Sequence, residues 1–148
     1  MTIVLREAMR EDIPAILQLY AQPDMDDGKV LSVRQAEDIF LRMQSYPRYT
    51  LYVAVQGEEI VGTFALAVMD NLAHQGAPSG LVEDVVVKAG RQGEGIGRQM
   101  MAYAMERCRQ YGCYKLALSS NAKRVNAHRF YETLGFERHG YSFTVPIE

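Results

Sequence analysis

The chain has 148 residues, 48% of them apolar and 23% charged, with a net charge of −2. That length and balance suit a single globular domain over residues 1–148 with a core of its own. The mild acidity, with an isoelectric point of about 5.9, gives no electrostatic basis for binding nucleic acid or an anionic membrane.

Residues 2–6 read as a short strand, and the charged residues between Arg6 and Asp12 leave no room for the apolar core of a signal peptide. Residues 11–20 place Ile13, Ile16, Leu17 and Tyr20 at helical spacing, with Pro14 tolerated in the first turn. The loop PDMDDGK is no calcium site: counted from Asp24, the required Gly falls on Lys29 and the required Glu on Gln35. Ser32 is a good N-cap for a second helix with the stripe Ala36, Ile39, Phe40, Met43. Residues 50–56 and 59–70 form a hairpin through Gly57 and Glu58. The apolar run 60–69 is half of the ~20 residues that a membrane span needs, so a cytoplasmic protein is expected.

Residues 71–80 are a loop that carries His74, and 81–88 a strand. The clearest helix is 96–111, with Ile96, Met100, Ala104, Cys108 and Tyr111 on one stripe and Gly112 as its stop. Cys108 and Cys113 match no metal or redox spacing and point to free thiols in a reducing compartment. The strand 114–119 follows a helix, which makes it a parallel partner of 81–88. A short helix then places Ala127, Phe130, Tyr131 and Leu134 on one face with Gly135 as its cap, and the tail 136–147 suggests one or two more strands. The sum is a mixed α/β (α+β) sheet with about four helices. It has no H-E-x-x-H zinc site and no G-x-S-x-G serine elbow, so no metal is expected.

The stretch VVVKAGRQGEGIGRQMM, residues 85–101, passes from a β-branched run through Gly90, Gly93, Gly95 and Gly97 into a helix. Backbone amides aimed at one point, with a helix N-terminus behind them and no side chains in the way, make an anion site. The plainer alternative is a tight connection whose glycines only permit positive φ. The dinucleotide fingerprint fails, because from Gly93 its last glycine falls on Arg98. The nucleoside-triphosphate loop fails too, because from Gly90 its lysine falls on Ile96.

The segment Gln92-Gly93-Glu94-Gly95-Ile96-Gly97 resembles the pyrophosphate-binding motif of the GNAT N-acetyltransferases. NAHRFYETLGF, residues 126–136, resembles the closing helix of the same superfamily, and IVLREAMREDIPAI its usual start. The resemblance implies the GNAT fold: a mostly antiparallel sheet of six to seven strands with a central parallel pair splayed at the cofactor site. VEDVVV and GCYKLAL look like glucosamine-6-phosphate N-acetyltransferases, whereas LSSNAKRVNAHRFY looks like aminoalkylphosphonate N-acetyltransferases. The activity implied is acetyl transfer from acetyl-CoA to a small-molecule amine, an amino-sugar phosphate or aminoalkylphosphonate among the candidates. A homodimer is implied by the same relatives.

By this resemblance, Gln92 to Arg98 (Gln92, Gly93, Glu94, Gly95, Ile96, Gly97, Arg98) hold the pyrophosphate, and Val85, Val86 and Val87 lie along the pantetheine arm. Glu83 is the base, by likeness to the LED strand of the spermidine/spermine branch, and strand alternation puts Asp84 on the opposite face. Tyr131 is the general acid. Many members carry Asn where this chain has Arg124; Asn121 and Asn126 flank it, and Lys123, Arg124, His128 and Arg129 form a basic cluster suited to a phosphate or to solvent. Two alternatives share these motifs: a non-catalytic acyl-CoA sensor, and an acetyltransferase acting on protein N-termini or lysines.

Overall fold

The computed structural model describes residues 2–120 and 125–147. They fall into two compact units, Met1–Ala117 and Leu118–Glu148.

The first unit opens with β1 (Ile3–Glu7), a 3-10 turn (Arg10–Asp12) and α1 (Ile13–Tyr20). Pro14 cannot donate a helical hydrogen bond, which suits it to α1's first turn. Next comes α2 (Val33–Gln44), started by the expected Ser32 cap: Gln35 N donates to Ser32 Oγ at 3.2 Å, and Ser32 N donates back to Gln35 Oε1 at 3.1 Å. β2 (Tyr49–Gln56) and β3 (Glu59–Met69) form the hairpin. A second 3-10 turn (His74–Gly76) precedes β4 (Ser79–Val87), which starts two residues earlier than the sequence suggests. α3 (Ile96–Tyr111) has the expected bounds and ends on Gly112 at φ 75°, and β5 (Lys115–Leu118) follows. The strand order is β1-β2-β3-β4-β5, antiparallel from β1 to β4 and parallel between β4 and β5.

Pleating sorts the sheet's side chains onto two faces. Leu51, Val53 and Ala65 turn to α1 and α2, where Ile13, Ile16, Leu17, Ala36 and Phe40 complete a buried cluster. Tyr52 and Phe64 turn to α3 and stack at 5.2 Å, and Tyr103 meets Tyr52 edge-on. Met100, Met101 and Ala104 are fully buried on this side, and each methionine stabilises by ~1.5–3 kcal/mol through area removed from water. α3 comes so close to the sheet that a Cβ on Gly80 would stand 2.5 Å from Cys108 Sγ. Burial there pushes the Cys108 thiol up to about 12, so it is inert packing.

A part-buried ion pair locks the N-terminal turn. Arg6 donates to both carboxylate oxygens of Asp12, at 2.7 and 3.0 Å, and Met9 N donates to the same group at 2.7 Å. The Arg6 bond holds the Asp12 carboxyl below its usual range. A depressed folded pKa stabilises above the unfolded value and loses that stability as pH falls through the folded one. Arg6→Ala is therefore expected to cost about 1.5–3 kcal/mol at neutral pH. Denaturant midpoints across an acid titration would show that loss shrinking as Asp12 protonates.

The second unit holds α4 (Val125–Thr133), closed by Gly135 at φ 95°. Its face carries Phe130, Tyr131 and, beyond the cap, Phe136, with ring centroids 5.3 and 5.9 Å from Tyr131. The extra strands expected in the tail are absent among the described residues, which leaves five strands rather than six or seven. Tyr141, Phe143, Val145 and Ile147 alternate as a strand would, yet all are exposed. Alternation makes a strand only where the backbone finds a partner.

Candidate functional site

The far end of β4 projects past its parallel neighbour. Tyr114 N donates to Pro78 O at 3.0 Å, so β5 advances from there along the first half of β4. Lys88 N bonds to Val61 O at 2.9 Å, so Lys88 and, by alternation, Val86 turn their backbone groups to β3. Those of Val85 and Val87 face outward, beyond β5. Val87 O accepts two side-chain amides there, from Gln22 at 3.1 Å and Gln92 at 3.2 Å. Both amides also reach the turn that follows: Gln22 Oε1 accepts from Ala89 N at 2.9 Å, and Gln92 Oε1 from Gly90 N at 3.1 Å. Gln92, expected to hold the cofactor, thus shapes the turn through its side chain. Gln22 has no motif that could have marked it; only the folded loop brings it 65 positions along the chain to Val87.

Gly90, Gly93 and Gly95 have φ of 82°, 86° and 86°, and a Cβ on any of them would meet open space. The turn needs the left-handed region at these three positions, and the face beside it is bare. α3 starts at Gly95 with no side-chain cap. Gln99 N donates to Gly95 O at 3.1 Å, and among the described residues no acceptor is bonded to the amides of Gly93, Glu94, Gly95, Ile96, Gly97 or Arg98. A diphosphate fits this donor set. Glu94 would oppose it, but Arg91 Nε holds that carboxylate at 2.9 Å and also pairs with Glu59 at 3.1 Å.

On the α1/α2 face, β4 departs from alternation. Val86 pairs with Thr63 and Glu83 with Ala65, so Asp84 and Val85 together oppose Phe64. This is a β-bulge, and Asp84 takes φ 55°. The expectation that Asp84 faces away from Glu83 is overturned. Glu83 shares the face of Ala65 by register, and Asp84 lines the same pocket as Ala65 because the extra residue resets the alternation.

That pocket measures about 410 Å³. Its walls are aliphatic and aromatic: Ile13, Ile16 and Leu17 from α1, Ile39, Phe40 and Met43 from α2, and Leu51 and Ala65 from the sheet. Val30 and Leu31 of the loop stand at the edge, both exposed. Tyr20 and Tyr49 contribute phenols; Asp26, Asp84 and Lys29 are its charged residues. Burial and then the charge of Asp26 push the Asp84 carboxyl up. Burial and then Asp84 push the Tyr20 phenol up, so it stays protonated as a donor. Tyr49 shifts upward by burial, then by Asp84 and Glu83. The loop residues Asp26, Lys29, Val30 and Leu31 carry no motif, and only the α1–α2 packing collects them here.

Asn126 is exposed in the first turn of α4. Tyr131 sits between Phe130 and Phe136 in the second unit. Arg124, Asn121 and Lys123 lie outside the described residues. His74 stacks on Tyr114 at 4.2 Å, which accounts for it as a surface ring. No group of metal-ligating side chains is present among the described residues, and no helix there is long and apolar enough to cross a membrane.

Comparison with known proteins gives concordant results. The chain matches the Acetyltransferase (GNAT) family over residues 10–136. It is 31% identical over 143 residues to the aminoalkylphosphonate N-acetyltransferase of Salmonella typhimurium, covering 97% of this chain and 90% of that one. A glucosamine 6-phosphate N-acetyltransferase of Trypanosoma brucei brucei is 38% identical over 80 residues, 54% of this chain and 52% of its own. Among solved structures, a putative acetyltransferase from Agrobacterium tumefaciens str. C58 superposes with a TM-score of 0.91 at 30% identity, over 97% of this chain and 99% of that one.

Proposed function

Since the chain belongs to the GNAT acetyltransferase family, we propose that it moves an acetyl group from acetyl-CoA directly to the primary amine of a small molecule. The observation that carries this is the bare glycine turn, whose amides have no acceptor among the described residues, at the end of a strand whose outer edge lies beyond β5. The donor supplies an activated thioester. The amides of Gly93 to Arg98 and the α3 dipole hold its diphosphate. The outward backbone groups of Val85 and the outward N–H of Val87, whose carbonyl is taken by Gln22 and Gln92, receive the pantetheine arm as an added strand would.

An amine of pKa ~10.4 must lose a proton before attack, at a cost of roughly 4–5 kcal/mol at neutral pH. A carboxylate of β4 takes that proton through water. The spermidine/spermine likeness supports Glu83, and a place in the pocket lining supports Asp84. Tyr131 is assigned by its closing-helix motif: the hydroxyl gives its proton to the departing thiolate and regains one from solvent. A phenol near pKa 10 stays protonated at neutral pH and still donates to a thiolate of pKa about 8.5.

A single domain over residues 1–148, a homodimer and a cytoplasmic location complete the proposal on the same resemblance. The names of the two relatives bring amino-sugar phosphates and aminoalkylphosphonates into the acceptor panel. The test is acceptor-dependent release of the CoA thiol together with an acetylated product seen by mass spectrometry. Tight acetyl-CoA binding with no release for any small amine or peptide would instead mark a sensor.

A further inference from the structure

The pocket beside Asp84 has a chemistry at odds with an anionic acceptor. Its walls are apolar, and its charged lining is two aspartates against one lysine, with no arginine. A phosphate or phosphonate brought into such a pocket loses water and gains no guanidinium fork, which planar recognition of these groups favours. An ammonium group finds the reverse. Asp84 offers a carboxylate, and Tyr20 and Tyr49 offer phenol oxygens and ring faces. The hydroxyl of Thr63 donates to Tyr52 O at 2.8 Å.

The bulge is what makes the arrangement. A regular β4 would turn Asp84 toward α3 and leave the apolar walls without this anchor. With the bulge, a carboxylate from the sheet joins Asp26 and Lys29 among mostly apolar walls. The loop residues Val30 and Leu31 of the same lining present exposed aliphatic groups that a ligand's apolar body could cover.

Resting on the acetyltransferase reading, we propose that the acceptor is a primary amine with an apolar alkyl or arylalkyl body and no anionic group, its ammonium held by Asp84. The body lies against the aliphatic wall of α1 and α2, and burial of that body, rather than charge pairing, gives most of the selectivity.

The test compares kcat/KM at saturating acetyl-CoA for 2-phenylethylamine and hexylamine with that for 2-aminoethylphosphonate and glucosamine 6-phosphate. The apolar amines are expected to exceed the anionic pair by tenfold or more. In Asp84→Asn, KM for the apolar amines should rise at least tenfold while KM for acetyl-CoA is unchanged. Turnover that favours the phosphonate or the sugar phosphate overturns the inference and leaves the acetyltransferase reading standing. An Asp84→Asn variant with unaltered amine KM overturns the anchor. Absence of release with every amine, with acetyl-CoA still bound, overturns the acetyltransferase reading and the inference with it.

Discussion

Tyr131→Phe is expected to lower kcat by about 10²–10⁴-fold, the usual range for a general acid, with KM for acetyl-CoA unchanged. The change removes one oxygen and keeps the ring that meets Phe130 and Phe136 at 5.3 and 5.9 Å. Thermal unfolding measured beside the rate separates lost chemistry from lost packing. A thiolate expelled without a side-chain donor must take its proton from solvent, so the deficit relative to the parent should shrink as pH falls. Wild-type turnover in the variant would remove Tyr131 from the acid role.

Gly95→Ala should raise KM for acetyl-CoA by about tenfold or more, since hydrogen bonds to a charged group contribute about 1.5–3 kcal/mol and tenfold corresponds to about 1.4 kcal/mol. The methyl group would enter the open space beside the turn, whose amides have no acceptor among the described residues. It would also strain the left-handed backbone at φ 86°, at roughly 1–2 kcal/mol. Gly112→Ala separates the two effects. Gly112 has φ 75° and open space at the other end of the same helix. It should lose similar stability and leave KM for acetyl-CoA untouched. Equal KM in both variants would mean that the turn holds no diphosphate.

Much of this protein is legible in local order. The α3 bounds, the Ser32 cap, the hairpin and the parallel partnership of the strands flanking α3 follow from periodicity and punctuation, which are properties of neighbours along the chain. The tail misled for the same reason: Tyr141, Phe143, Val145 and Ile147 alternate well, but alternation states only which face a strand would show, not whether another backbone is there to pair with it. The turn was equally legible, because four glycines in eight residues carry their own conformational meaning.

By itself, then, the sequence determined the order of the helices and of the first five strands, the family and the place of the glycine turn, since each depends on residues a few positions apart. Only the tertiary structure decided that a bulge at Asp84 sets both carboxylates of β4 on one face, that Gln22 fastens the turn from the α1–α2 loop, and that the pocket is apolar with an acidic end. Those features arise from register between strands and from residues distant in the chain meeting across a packed face, and a one-residue shift in register changes which side chains share that face.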